Sequence, residues 1–238
     1  MFFLYAICLG LFVSAQEQTI VNDKDAEVRN VSGFHAVRVS GSIDLYISQG
    51  PEEVVAISAS SPEIKDEIVT EVKDGVLYIH PQKNSNWWRR EWNSLGKKIR
   101  AYVAAREIDQ LSSSGSGSIF CSGTIKADKL ELVVSGSGNI DCNLDVSDLS
   151  VEQSGSSNVR LKGVVKNSNF RMSGSGNIYS YDLQSDYSDI SISGSGNAEI
   201  TANKEVNASI SGSGNIRLKG DAGIRNISTA GSGRIKRV

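Results

Sequence analysis

The chain has little of what metal and acid–base sites are built from: two histidines, His35 and His80, and three cysteines in 238 residues. None of them stand at a short ligand spacing, so no zinc site is expected. Proline is as scarce, at 3 residues against 23 glycines, which excludes a collagen repeat and a proline-rich disordered chain. A basic excess is also missing. Charged residues make up 22% and the formal net charge is −2, so the balance argues against a nucleic-acid partner. After the first fifteen residues no apolar run approaches the roughly 20 that a spanning helix needs.

Those fifteen residues, MFFLYAICLGLFVSA, are uncharged and apolar and close on Val13-Ser14-Ala15, small residues of the kind signal peptidase requires. Residues 1–15 read as a secretory signal cleaved before Gln16. The run lacks a preceding Lys or Arg, and an uncleaved anchor is the alternative. Cys8 follows Tyr5-Ala6-Ile7, which lacks the small residue that precedes a lipidated cysteine, so a lipoprotein is not expected. The mature chain is expected to be exported, to the periplasm or the cell surface, with no transmembrane segment of its own.

What the chain has in quantity is one hexapeptide. Ser135-Gly136-Ser137-Gly138-Asn139-Ile140 recurs in related form from Ser114, Ser154, Ser173, Ser193, Ser211 and Ala230, at intervals of 21, 19, 19, 20, 18 and 19 residues. That period fits one turn of a coiled β-sheet and is too short for a helical repeat. Parity runs through the glycines: Leu132, Val134, Gly136, Gly138, Ile140, Cys142 and Leu144 share one side. An extended backbone would point the glycines inward and stack the serines outward. A glycine with φ > 0 at a corner would instead let Asn139, Asn158, Asn177, Asn197 and Asn215 turn inward as a hydrogen-bonded ladder. Both arrangements satisfy the pattern.

Before the repeats, residues 16–33 form a polar lead-in. Residues 34–110 form the N-terminal part of the coil, and 111–238 its regular part. Phe34 to Ile47 alternates as a strand and holds an early Ser-Gly-Ser-Ile. Val54 to Ala59 reads as a second strand. Ser61 as N-cap, Pro62 at the first position and Ile64, Ile68 and Val72 at spacing four predict a short helix. Asp74-Gly75 then turns into a strand from Val76 to His80.

Residues 81–98, PQKNSNWWRREWNSLGKK, break every pattern around them and carry all three tryptophans. Long irregular insertions on a rigid scaffold often carry function. Trp87, Trp88 and Trp92 beside Arg89 and Arg90 have the composition of a binding hot spot. The alternative is that these rings cover an open edge of the coiled sheet.

Cys121 and Cys142 each lie seven residues after the start of a hexapeptide and should be stacked neighbours on adjacent turns. Strands about 4.8 Å apart lie within the reach of a disulfide, which an oxidising compartment permits. Free thiols filling core positions are the alternative.

The FHAVRVSGSIDLYISQG stretch from Phe34, the DGVLYI stretch from Asp74 and the serial SGSGNI copies together resemble a family of bacterial exported proteins, the auto-transporter adhesins with a head GIN domain. The resemblance covers Phe34 to Val238. It implies an all-β, right-handed parallel β-helix-like solenoid with about 19 residues per rung, export to the envelope, and no enzymatic activity.

Other chemistries fit less well. Calcium-binding solenoids place aspartates in nonapeptides, whereas the hexapeptides here supply no carboxylate. No Gly-Lys-Ser/Thr follows the glycines, so they form no phosphate loop, and no cofactor is expected. A polysaccharide-degrading solenoid needs a convergent acid and base, and Asp141, Asp145 and Asp148 are the nearest acidic group. The leading expectation is a non-enzymatic envelope protein that binds a glycan or a protein surface, through the Trp/Arg insertion and the broad Ser/Asn face. A structural scaffold that forms homo-oligomers through its end rungs is the runner-up.

Overall fold

The computed structural model describes residues 23–82 and 99–238. Residues 1–15, expected to be a signal sequence, and Trp87, Trp88, Arg89, Arg90 and Trp92 lie outside the described residues.

The protein is a β-solenoid of about seven turns spaced about 19 residues apart. Its rungs are five long strands: β9 (Ile119–Gly136), β10 (Asn139–Gly155), β11 (Asn158–Gly174), β12 (Asn177–Gly194) and β13 (Asn197–Gly212). Each has 16 to 18 residues, about three times the usual strand, because it continues through a mid-strand bend. In β10 the buried side chains are Ile140, Cys142, Leu144 and Val146 before the bend, then Leu149, Val151 and Gln153 after it. The parity switch across Ser147 and Asp148 turns the chain through the bend while keeping the same surface inward. Two walls result, with one apolar core between them.

The earlier strands are shorter: β1 (Ala26–Arg29), β2 (Ala36–Gly41), β3 (Ile43–Gln49), β4 (Val54–Ser58), β5 (Ile68–Lys73), β6 (Val76–Pro81), β7 (Ile99–Ala105) and β8 (Gln110–Gly115). The last are β14 (Asn215–Lys219), β15 (Gly223–Gly231) and β16 (Arg234–Arg237). The first wall runs β1-β4-β7-β3, then the leading halves of β9 to β13, then β14 and β16. The second wall runs β5-β6-β2-β8, then the trailing halves of the same strands, then β15. Regular rungs pair in parallel, and Asn139 faces Asn158 as Asn158 faces Asn177.

The N-terminal end differs from the parallel pairing that the repeats imply: β1·β4, β4·β7 and β5·β6 are antiparallel. The cause is local for β5 and β6. Asp74 at φ 50° and Gly75 at φ 74° make a two-residue turn of the kind that joins only antiparallel neighbours. The expected helix is also shorter. The helix α1 covers Pro62–Asp66 with Ser61 as N-cap and Ile64 buried, but Ile68 and Val72 belong to β5. Spacing four keeps residues on one face of a strand as well as of a helix, and the β-branched run Ile68-Val69-Thr70 favours the strand.

The first glycine of each hexapeptide forms the corner between the walls. Gly115, Gly136, Gly155, Gly174, Gly194, Gly212 and Gly231 all have φ between +107° and +134°. A Cβ on Gly155 would stand 2.4 Å from the carbonyl oxygen of Gly136, so no other residue fits. The early Ser40-Gly41-Ser42-Ile43 is a rung of the same kind, with Gly41 at φ 86° facing Gly115. One rung nearer the N-terminal end, β6 pairs with β2 and β7 with β3.

Candidate functional site

Two kinds of polar row run along the outside of the solenoid, and their hydrogen bonding separates them. On the first wall the hexapeptide asparagines form a closed ladder. Asn158 Nδ2 donates to Asn139 Oδ1 at 3.1 Å, Asn177 to Asn158 at 3.0 Å, Asn197 to Asn177 at 3.0 Å and Asn215 to Asn197 at 2.9 Å. The glycine corner therefore does take positive φ, but the amides stay outside the core, half-buried to exposed. Each amide is committed to its neighbours, so this row holds the rungs in register and offers little to a ligand.

The second wall is different just past the mid-rung bend. A groove of about 840 Å³ crosses five rungs there. One of its rows runs Lys129, Asp148, Asn167, Tyr187, Glu205 and the next runs Glu131, Ser150, Asn169, Asp189, Asn207. In the first row Asn167 Nδ2 donates to Asp148 Oδ1 at 2.6 Å and Glu205 pairs with Arg225 at 3.0 Å. In the second, Ser150, Asn169, Asp189 and Asn207 make no side-chain hydrogen bond among the described residues. Beneath them Ser168 and Ser188 take the inward position that Leu130, Leu149 and Val206 fill in neighbouring rungs. Their hydroxyls lie 2.8 Å apart, so these buried polar atoms satisfy each other. The groove thus offers four unengaged polar side chains on consecutive rungs, beside the half-exposed ring of Tyr187.

The acidic residues singled out from the sequence do not converge. Asp141 and Asp145 project from the first wall and Asp148 from the second, on either side of the bend in β10. Asp145 pairs with Lys126 at 3.8 Å, and Asp148 is held by Asn167 in the groove. Among the described residues no group of three His, Cys, Asp or Glu side chains is placed to hold a metal ion.

Cys121 and Cys142 are joined by a disulfide with Cα atoms 4.7 Å apart. It lies at a register shift, where the pairing passes from Phe120 opposite Asp141 to Thr124 opposite Asn143. The bond ties a bulged rung to a regular one.

Near the N-terminal end of the first wall, Tyr102, Tyr46 and Phe120 stack in adjoining strands, with ring centres 5.4 and 5.1 Å apart. Asp23 locks this corner by accepting from Tyr102 Oη at 2.8 Å and from the Asp25 backbone N–H at 3.1 Å, with Arg100 at 3.5 Å. Burial pushes the Asp23 carboxyl up, but hydrogen bonds from Tyr102, Ser58 and Asp25, with the charge of Arg100, carry it below the usual carboxylate value. Burial, followed by the hydrogen bond to Asp23, raises the Tyr102 phenol, so it remains a donor. The corner fastens the lead-in to the solenoid.

The family model described as "Putative auto-transporter adhesin, head GIN domain" matches residues 33–222. No curated protein matches the chain. Among solved structures, a putative adhesin from Bacteroides fragilis superposes with a TM-score of 0.80 at 24% identity, over 90% of this chain and 96% of that one. A putative lipid binding protein from Parabacteroides distasonis gives 0.69 at 27% identity, over 91% and 98%. A putative adhesin from Parabacteroides merdae gives 0.60 at 19%, over 90% and 95%.

Proposed function

Since the chain belongs to the putative auto-transporter adhesin, head GIN domain family, we propose that it is an exported, non-enzymatic adhesin-like protein that binds a glycan or a protein surface in the groove of its second wall. One observation carries this reading. Ser150, Asn169, Asp189 and Asn207 stand on consecutive rungs with their hydrogen-bonding groups unengaged, whereas the asparagine ladder of the other wall is closed on itself. Rungs about 4.8 Å apart present these groups at a regular interval, which suits an extended, hydroxyl-rich ligand. Tyr187 adds the apolar surface such sites need beside their polar groups.

The lipid-binding name carried by one similar structure gives a second ligand class to test. The polar row along the groove favours a hydrated ligand over an acyl chain, because an acyl chain would leave Asn169, Asp189 and Asn207 dehydrated and unpaired. The Trp87, Trp88, Arg89, Arg90 and Trp92 insertion is a further proposed contact.

Calorimetric titration with a panel of envelope and host polysaccharides tests the groove, using the full chain and an Asn169→Ala/Asp189→Ala/Asn207→Ala variant. A drop of about tenfold or more in affinity is expected, near 1.4 kcal/mol. Unchanged affinity in that variant, with loss in Trp87→Ala/Trp88→Ala, would move the site to the insertion. Tight binding of fatty acids with no glycan binding would replace the reading with a lipid one.

A further inference from the structure

The outer surface of the first wall carries a charge pattern that the groove does not explain. Beside the asparagine ladder one row runs Arg160, Tyr179, Glu199, Arg217, Lys236. In the neighbouring row Lys162 stands opposite Asn143 and Lys219 opposite Thr201. Tyr181 falls between them, in a bulge where the register shifts from Ser180 opposite Ile200 to Gln184 opposite Thr201. A pair of tyrosines is therefore bracketed along the axis by two pairs of cations.

The rings hold the cations in place. The Arg160 guanidinium lies 5.2 Å from the centre of the Tyr179 ring, and Lys219 Nζ lies 4.1 Å from that of Tyr181. Such contacts fix a charged head group over a ring face and limit its freedom before any ligand arrives. Within the row Glu199 pairs with Arg217 at 3.2 Å, and Asp141 and Asp182 line one hollow with Arg160, Lys162 and Tyr179. Yet Arg160, Lys162 and Lys219 have no carboxylate partner among the described residues. Four cations against three carboxylates leave the patch net positive in a chain whose net charge is −2, with three of the cations held by no ion pair.

Three rung steps separate the Arg160 and Lys219 rungs, roughly 14 Å at the spacing of parallel strands. One phosphate or carboxylate cannot reach both ends. A polymer with an anionic group every sugar or two can, and its sugar rings can lie against the tyrosines between. The surface is a flat sheet wall with amides flush alongside, and lacks the apolar ridge an inserting membrane contact uses.

We propose that Arg160, Lys162, Arg217 and Lys219, with Tyr179 and Tyr181 between them, form a second binding site, and that it takes a linear polyanionic glycan bearing carboxylate or sulfate groups. The site is on the opposite wall from the groove and does not depend on it.

Titration of the full chain with a polyuronate, with heparin as a sulfated probe, with neutral dextran, and with vesicles of phosphatidylcholine and phosphatidylglycerol tests this. The polyuronate or heparin should bind and dextran should not, and affinity should fall about tenfold or more between about 50 and 300 mM salt. Lys162→Gln/Lys219→Gln should lose about tenfold in affinity at an unchanged melting temperature, since both side chains are solvent-facing. Asp189→Ala in the groove should leave polyanion binding intact, so failure of the groove reading and failure of this one are separable. The proposal is overturned if neither polymer binds, if the double variant binds as well as the parent, or if the anionic vesicles bind more tightly than both polymers. Preference for the polyuronate or for heparin identifies the anionic group.

Discussion

Asn177 donates its side-chain amide to Asn158 at 3.0 Å and accepts one from Asn197 at 3.0 Å, so each inner amide of the row is donor and acceptor at once. Replacing Asn177 with Ala breaks two bonds, leaving the half-buried Asn158 without its donor and the exposed Asn197 without its acceptor. A loss of about 1–3 kcal/mol is expected, measured by urea unfolding, with a smaller loss for Asn215→Ala nearer the end. Equal losses at the two positions would mean the ladder does not act as a chain of bonds.

The corner glycines should be intolerant, and Gly50 should not. Gly155→Ala places a methyl against the Gly136 carbonyl at positive φ, and about 2 kcal/mol or more of destabilisation is expected. Gly50 has open space where a Cβ would stand. Gly50→Ala should be neutral or stabilising by roughly 0.4–1 kcal/mol. Thermal unfolding of the two variants side by side decides it.

One rung carries a polar fault. Gln153 points into the core, where the next rungs place Met172 and Ile192, and donates to the Ser157 carbonyl. Gln153 Oε1 and Ser157 Oγ are buried without a partner. Gln153→Met with Ser157→Ala removes both orphan atoms and should raise stability by about 1–3 kcal/mol, read as a higher denaturation midpoint. A lower midpoint would show that the pair is satisfied by internal water.

The Asp23 corner predicts a pH dependence. A carboxyl whose folded pKa is depressed contributes stability above its unfolded value and loses it as pH falls through the folded one. The contribution should be complete at neutral pH and fade below the ordinary carboxylate range, near pH 4 and under. Asp23→Asn should lower the melting temperature at neutral pH and flatten its fall on acidification. Parallel curves for parent and variant would contradict the assignment.

Much of the fold was legible because one hexapeptide carries it. The spacing from Ser114 to Ala230 gives the rung length, and the glycine positions give the corner. The mid-rung bend is also written in the chain, as the shift of buried parity between Val146 and Leu149, but it has no signature residue comparable to glycine. The cap was harder to read: Ile64, Ile68 and Val72 satisfy helix and strand periodicity alike, and only the pairing with β6 decides between them. The groove was not legible at all. Ser150, Asn169, Asp189 and Asn207 sit where every rung has some polar residue, and what distinguishes them is the absence of a bonding partner, a property of three-dimensional neighbours. The regular asparagines drew attention by their repetition, and that repetition is what commits them to each other.

On the proposed adhesin-like function the protein would bear load, and the bond between Cys121 and Cys142 sets how it yields. Hydrogen bonds between rungs lie along the solenoid axis, so tension on the C-terminal end opens them one turn at a time instead of shearing all together. The 96 residues from Asn143 to Val238 can be drawn out in this way, to roughly 330 Å at about 3.4 Å per residue. Beyond Cys142 the load passes through the disulfide to Cys121, so the 20 residues between the two cysteines are bypassed and cannot be drawn out. The chain is a spring with one coil tied shut: a single-molecule pulling trace should show small regular steps with that coil missing, and a reducing agent should lengthen the trace by roughly 70 Å at about 3.4 Å per residue.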